Sequence, residues 1–119
     1  MKKKTLVVGA SPNPDRYGFK AVHKLHFWGH PVYAFGAKKG SVGEVSISDK
    51  WPNEHFDTVT LYLNPANQQE YYGRLLELKP KRVIFNPGTE NPELELMLKQ
   101  KGIEAERACT LVLLSLGQY

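Results

Sequence analysis

Short apolar runs that end at glycine or proline alternate with helical patterns along the whole chain. The first run, residues 5–10, ends at Gly9-Ala10 and is typical of a strand that is buried on both faces. Further strands are predicted over residues 31–35, 58–63, 82–85 and 103–106. Helices are predicted over residues 19–28, 67–78, 92–101 and 110–116. Strands that alternate with helices in this way favour an α/β fold with a parallel sheet and right-handed crossovers.

The order of the elements predicts one small doubly wound sheet. We expect five parallel strands in the order 3-2-1-4-5, with helices on both faces in a three-layer αβα arrangement. The polar stretch from Lys38 to Glu54 shows only a little β-alternation, at Val45 and Ile47, and no strand is predicted there. A length of 119 residues suits a single domain over residues 1–119.

Composition excludes several classes of protein. No apolar run approaches the roughly 18 residues of a membrane span, and the basic start lacks the apolar segment of a signal peptide. The single cysteine cannot form an internal disulfide, which predicts a reducing compartment, by default the cytoplasm. The net charge of +4 comes from scattered lysines and arginines, so no nucleic-acid partner is predicted. A homo-oligomer is left open.

The turn after the first strand is the strongest candidate for a phosphate site. In doubly wound sheets, ligands bind outside the carboxyl ends of the strands. A strand that ends in glycine and feeds a helix presents free N–H groups and the positive helix end to an anion. The turn departs from G-x-G-x-x-G, because Ser11 and Pro14 occupy two of its positions. Ser11 and Arg16 can replace the backbone donors that prolines remove. The alternative is a rigid loop without a ligand.

The turn after the second strand bears on the kind of nucleotide. An NAD site places an acidic residue there to accept a hydrogen bond from the ribose 2′-hydroxyl. The chain has Gly36-Ala-Lys38-Lys39 at this place. Two lysines favour a ligand with an additional phosphate on its ribose, either NADP or coenzyme A. The alternative is a solvated pair of lysines.

The remaining turns, Asn64-Pro65 and Asn86 to Thr89, are tight turns whose prolines suffice to explain them structurally. A functional interpretation makes them a wall for an adenine or a pantetheine arm. Residues suited to catalysis are sparse, since no His or Cys pattern has the spacing of a metal site or of a nucleophile and its base. Cys109 has apolar neighbours, and we expect it to be largely buried and not a nucleophile.

Four segments together resemble the CoA-binding family of small Rossmann-like proteins. They read VVGASPNPDRYG, AFGAKKG, LYLNP and FNPGTENPELELM, and the resemblance covers essentially the whole chain. The same domain forms the N-terminal part of the succinyl-CoA synthetase alpha subunit. The resemblance implies a Rossmann-like fold and a site for coenzyme A or an acyl-CoA.

The resemblance also implies which residues contact the ligand. Residues 9–11 with Arg16 would hold the diphosphate, Gly36 and Lys38 would lie along the 3′-phosphate, residues 62–65 by the adenine, and residues 86–87 by the pantetheine. The candidate cofactor-binding residues are Gly9, Ala10, Ser11, Pro14, Arg16, Tyr17, Gly36, Lys38, Lys39, Tyr62, Leu63, Asn64, Pro65, Asn86 and Pro87.

The function expected from these observations is that of a stand-alone protein that binds coenzyme A or an acyl-CoA without a reaction of its own. The first alternative is a small NADP-dependent oxidoreductase, which the fold alone would allow. The second is another nucleotide-binding regulatory module, and the third is an interaction subunit whose site has decayed.

Overall fold

A single sheet of seven strands runs through the protein in the computed structural model, which describes residues 1–119. Six neighbouring strands are parallel, and only the pair at one edge, β3 with β4, is antiparallel. The order is β3-β4-β2-β1-β5-β6-β7. The strands are β1 Thr5–Val8, β2 Val32–Phe35, β3 Gly40–Val42, β4 Val45–Ser48, β5 Thr58–Leu61, β6 Arg82–Phe85 and β7 Glu104–Arg107.

Helices cover both faces of the sheet, as expected for an α/β fold. They are α1 Tyr17–Phe27, α2 Pro65–Gln68, α3 Tyr72–Leu78, α4 Pro92–Gln100 and α5 Thr110–Ser115. On one face Val22 and Leu25 of α1 share a buried cluster with Leu114 of α5. On the other face Leu75 of α3 and Leu94 of α4 belong to a second cluster. No helix is long and apolar enough to cross a bilayer.

The expected strand number and order are wrong, although the Rossmann-like, mostly parallel sheet is present. Residues 40–48, for which no strand was predicted, form the hairpin of β3 and β4, with Gly43 at positive φ in its two-residue turn. β4 pairs with β2 and so takes the place expected for the strand at residues 58–63. That strand, β5, pairs with the other side of β1. Val42 and Ile47 are buried, which anchors this polar hairpin to the core.

The central strands are completely buried because both of their faces are covered. Every residue of β1, β5 and β6 is buried. The continuous apolar run that predicted β1 therefore has a direct physical cause, since neither face of this strand meets water. β1 lies in the middle of the sheet, and the turn that follows it lies at the middle of the sheet's carboxyl edge.

The opposite, amino-terminal edge of the sheet is closed by Tyr119 and His30. The Tyr119 hydroxyl lies 2.6 Å from Oγ1 of Thr5 in a hydrogen bond. The rings of Tyr119 and His30 meet edge to face at 4.9 Å, and Nδ1 of His30 accepts a hydrogen bond from the backbone N–H of Lys3. Together these contacts tie the beginning and the end of the chain to β1.

His30 should make the stability of the protein sensitive to acid. Burial, together with the charges of Lys2 and Lys3, lowers the pKa of His30 below its ordinary value of 6.5. The unfolded chain therefore binds a proton more readily, so this contribution to stability is present above pH 6.5 and is lost as the pH falls below that value. Chemical denaturation across the pH range should show this loss in the wild type and a smaller one in His30→Asn.

The control for this measurement is His55→Asn, which removes a histidine at an exposed position. If His30→Asn lost as much stability between pH 7 and pH 5 as the wild type, His30 would not be a source of the acid sensitivity.

Candidate functional site

A cleft of about 920 Å³ opens at the carboxyl edge of the sheet. Loops that follow β1, β2, β5 and β6 form its walls, which is where a doubly wound sheet binds its ligand. The lining residues are Gly9, Ala10, Ser11, Pro12, Asn13, Asp15, Arg16, Tyr17, Gly18, Ala37, Lys38, Tyr62, Leu63, Asn64, Asn67, Pro87, Gly88 and Thr89.

The cleft brings together residues from all four turns that the sequence singled out. Of the candidates, it is lined by Gly9, Ala10, Ser11, Arg16, Tyr17, Lys38, Tyr62, Leu63, Asn64 and Pro87. The candidates outside its lining are Pro14, Gly36, Lys39, Pro65 and Asn86. Of the lining residues that were not candidates, only Gly18 and Asn67 lie outside the four turns. Taking each turn as a whole would have found the others.

The loop after β1 is held in shape by its own polar groups. The N–H groups of Gly9 and Ala10 both donate to the carbonyl oxygen of Phe35 at 2.9 Å. The hydroxyl of Ser11 accepts a hydrogen bond from the N–H of Asn13, and the side-chain oxygen of Asn13 accepts one from Asp15. These local bonds fix a turn that two prolines already restrict.

Helix α1 begins at this loop with unsatisfied donors. Arg16 is its N-cap residue, but no side chain caps the helix, and its first turn contains no acidic residue. The N–H groups of Tyr17, Gly18 and Phe19 have no acceptor in the protein. Free donors and the positive end of an eleven-residue helix form a site for an anion, and the guanidinium of Arg16 stands beside it.

Two glycines allow the backbone around this loop to approach closely. A Cβ on Gly18 would lie 2.3 Å from the carbonyl oxygen of Gly9, and one on Gly36 would lie 2.2 Å from that of Ala10. Both distances are far below van der Waals contact. Gly36, a candidate for ligand contact, thus lies behind the loop, where it permits β2 and the loop to pack together.

The two lysines after β2 point to different places. Lys38 lines the cleft, whereas Nζ of Lys39 lies 3.9 Å from Oδ1 of Asp49 at the surface. An exposed pair of this kind contributes little to stability. Only Lys38 is therefore positioned to meet a ligand in the cleft.

Asn86 is buried beneath the cleft, and its side-chain amide is fully occupied. Its Nδ2 donates to Oγ1 of Thr60 at 2.7 Å and to the carbonyl oxygen of Leu61 at 2.9 Å. Its Oδ1 accepts from the N–H of Thr110 at 2.8 Å. One side chain therefore joins β5, β6 and the beginning of α5, and this structural role leaves no amide atom free for a ligand.

Tyr62 lines the cleft, and its hydroxyl is buried. That hydroxyl lies beside the hydroxyls of Thr60 and Thr110 but has no hydrogen-bond partner. Burial raises the pKa of Tyr62, so the hydroxyl stays neutral at physiological pH. Cys109 lies just before α5 outside the cleft lining and is only partly buried, so the expectation of a largely buried thiol is too strong.

The cleft is suited to bind an anion together with the polar groups of the same ligand. Its lining contains neither histidine nor cysteine, and Asp15 is its only carboxylate. No three side chains of the metal-binding types lie close enough to share an ion. Lys38, Arg16 and the free N–H groups of α1 supply positive charge and donors.

Comparison with known proteins identifies related chains. A family model described as a CoA binding domain matches residues 3–115. The crystal structure of an uncharacterized protein is 51% identical, with a TM-score of 0.96, covering 100% of this chain and 99% of the other. A hypothetical protein from Pyrococcus horikoshii OT3 is 27% identical, with a TM-score of 0.79 over 93% of this chain and 80% of that one.

A more distant structure shows the same fold. The cell-free ID.343 protein from Thermus thermophilus is 21% identical, with a TM-score of 0.86 over 98% of this chain and 91% of that one. No curated protein matches the chain significantly.

Proposed function

The chain belongs to the CoA-binding domain family, and we propose from this that its cleft binds coenzyme A or an acyl-CoA as a stand-alone binding module without a reaction of its own. The observation that carries the proposal is the uncapped beginning of α1, which faces the same cleft as Lys38. One anion site of backbone donors and a separate lysine suit a ligand with phosphates at two places.

The diphosphate of the ligand binds at the loop after β1. The N–H groups of Tyr17, Gly18 and Phe19 are free there, and Arg16 adds a planar cation that can form paired hydrogen bonds to phosphate. The close approach allowed by Gly18 brings the helix end near the loop. This arrangement serves any nucleotide diphosphate, so it does not distinguish coenzyme A from NADP.

The ends of the ligand bind at the other loops. Lys38 meets the 3′-phosphate, the loop of Tyr62–Pro65 lies by the adenine, and Pro87 with Gly88 borders the pantetheine arm. Asn64 and Asn67 add amide groups that can donate and accept hydrogen bonds on the wall by the adenine. We also propose a reducing compartment such as the cytoplasm, because the only cysteine is unpaired.

Lys38 should give the cleft its preference for a ligand with a 3′-phosphate. Wild-type protein should bind coenzyme A more tightly than dephospho-CoA, since a lost charge-assisted contact at an exposed site costs about 1–3 kcal/mol, or about 5- to 150-fold in affinity. In calorimetric titrations Lys38→Ala should remove this difference. Arg16→Ala should weaken both ligands, because both contain the diphosphate.

Lys39→Ala is the matched control, because Lys39 lies next to Asp49 and outside the cleft. It should leave both affinities unchanged. If the wild type bound coenzyme A and dephospho-CoA with equal affinity, Lys38 would not contact the 3′-phosphate. Binding of NADPH without binding of coenzyme A would replace the proposed function by that of an NADP protein.

A further inference from the structure

Gln68 has a fully buried polar side chain next to the cleft. Only 1% of it is exposed, although it lies at the end of α2, in a segment whose other residues are largely accessible. Its Nε2 donates to the carbonyl oxygens of Leu63 and Thr89, both at 2.8 Å. Its Oε1 accepts a hydrogen bond from Nδ2 of Asn91 at 2.9 Å. The amide thus uses both donor hydrogens and its acceptor.

The two carbonyl groups that Gln68 binds belong to different walls of the cleft. Leu63 lies in the loop after β5, and Thr89 lies in the loop after β6. Both residues line the cleft themselves. Gln68 therefore links the two loops by hydrogen bonds. No strand pairing joins the loops themselves, because the pairing of β5 with β6 ends before them.

Asn91, which donates a hydrogen bond to Oε1 of Gln68, is itself held in place by neighbouring groups. Asn91 caps helix α4 by accepting a hydrogen bond from the N–H of Leu94, and its own N–H donates to Oε2 of Glu95. Its Nδ2 also donates to the hydroxyl of Tyr72 in α3. Because Asn91 is fixed to two helices, it holds the Gln68 amide in one orientation, with both donor hydrogens directed at the loop carbonyls.

We propose that Gln68 is a positioning residue that sets the distance between the adenine wall and the pantetheine wall of the cleft. This rests on the proposed function. Gln68 does not line the cleft, so it acts through the loops that contain Leu63 and Thr89. A ligand that spans both loops depends on their spacing, whereas a ligand that touches only one loop does not.

The test compares coenzyme A with its fragment 3′,5′-ADP, which lacks the pantetheine arm and one phosphate of the diphosphate. Gln68→Met keeps the shape of the side chain and removes its three hydrogen bonds. We expect this variant to bind coenzyme A about tenfold more weakly and 3′,5′-ADP less than about threefold more weakly, as measured by calorimetry. Tyr119→Phe is the control, because it removes a buried hydrogen bond at the opposite edge of the sheet and should leave both affinities unchanged.

An equal loss for both ligands, or no loss for coenzyme A, would overturn the positioning role. If the wild type bound neither ligand, the proposed function itself would fail, and the two failures are thus distinguishable.

Should Gln68→Met not fold, Gln68→Glu gives a second measurement. The introduced carboxyl donates one hydrogen bond when neutral and none when ionised. The ratio of the affinities for coenzyme A and 3′,5′-ADP should then fall more steeply with rising pH in this variant than in the wild type, which serves as the reference for the titration of the phosphates themselves. The same pH dependence in the variant and the wild type would contradict the proposal.

Discussion

Replacing Gly36 by alanine should lower the free energy of unfolding by about 2–4 kcal/mol, because the new methyl group has no room. A Cβ at this position would lie 2.2 Å from the carbonyl oxygen of Ala10 and 3.2 Å from a methyl carbon of Ile47. The closer atom belongs to the backbone, so no rotation of a side chain relieves the contact. β2 or the loop after β1 must move, and chemical denaturation should record the cost.

The matched control for this substitution is Gly73→Ala. Gly73 lies in α3, and a Cβ there would meet nothing within 4 Å. Alanine is the better helix former, so this variant should be as stable as the wild type or up to about 1 kcal/mol more stable. If Gly36→Ala also stayed within about 0.5 kcal/mol of the wild type, the close packing of β2 against the loop would be wrong.

Replacing Asn86 by leucine should cost about 3–5 kcal/mol of stability, since a side chain of similar size removes three buried hydrogen bonds at once. The carbonyl oxygen of Leu61 and the N–H of Thr110 lose the amide as partner, whereas the hydroxyl of Thr60 keeps its bond to that of Thr110. Urea denaturation should measure this loss of stability. The unfolding transition should also become less cooperative, because α5 separates from the sheet.

Asn64→Ala provides the comparison for Asn86→Leu. Asn64 is also an asparagine after a strand and before a proline, but it is exposed and makes one side-chain hydrogen bond, as the N-cap of α2. Its replacement should cost about 1 kcal/mol. Similar losses at the two positions would show that the buried network around Asn86 contributes no more than an ordinary helix cap.

The alternation of apolar runs with helices was enough to predict the fold class, because a strand covered on both faces favours apolar residues. Every residue of β1, β5 and β6 is buried, although β5 contains two threonines and β6 begins with Arg82. The hairpin of β3 and β4 was missed because it is an edge element, whose residues are mostly polar and whose strands need few apolar contacts. Without it, the strand at residues 58–63 was assigned to the wrong side of β1.

The helix expected over residues 67–78 begins earlier and is interrupted. α2 starts at Pro65 behind its cap Asn64, and a short 3-10 turn, Gln69–Tyr71, separates α2 from α3. Proline at the first helical position was a readable signal for that start. The interruption depends on tertiary contacts, including the bridge made by Gln68, and has no counterpart in the local sequence pattern.

The candidate site was predictable as a set of turns but not residue by residue. The rule that ligands bind at the carboxyl ends of strands identified the loops that form the cleft. It could not show that Gly36 faces the back of a loop, that the amide of Asn86 turns into the sheet, or that Lys39 lies at Asp49. Each of these depends on how a residue is oriented in the folded chain, and contacts outside the local sequence pattern decide that orientation.

The outermost strands of the sheet have a consequence for how copies of this chain meet. β3 contains only three residues, and three of the four residues of β7 are charged, namely Glu104, Glu106 and Arg107. Short or charged edges are poor templates for another strand, so the sheet resists growth by edge-to-edge pairing and the aggregation that follows from it. Self-association of this protein is therefore expected to use surfaces other than the two edge strands of the sheet.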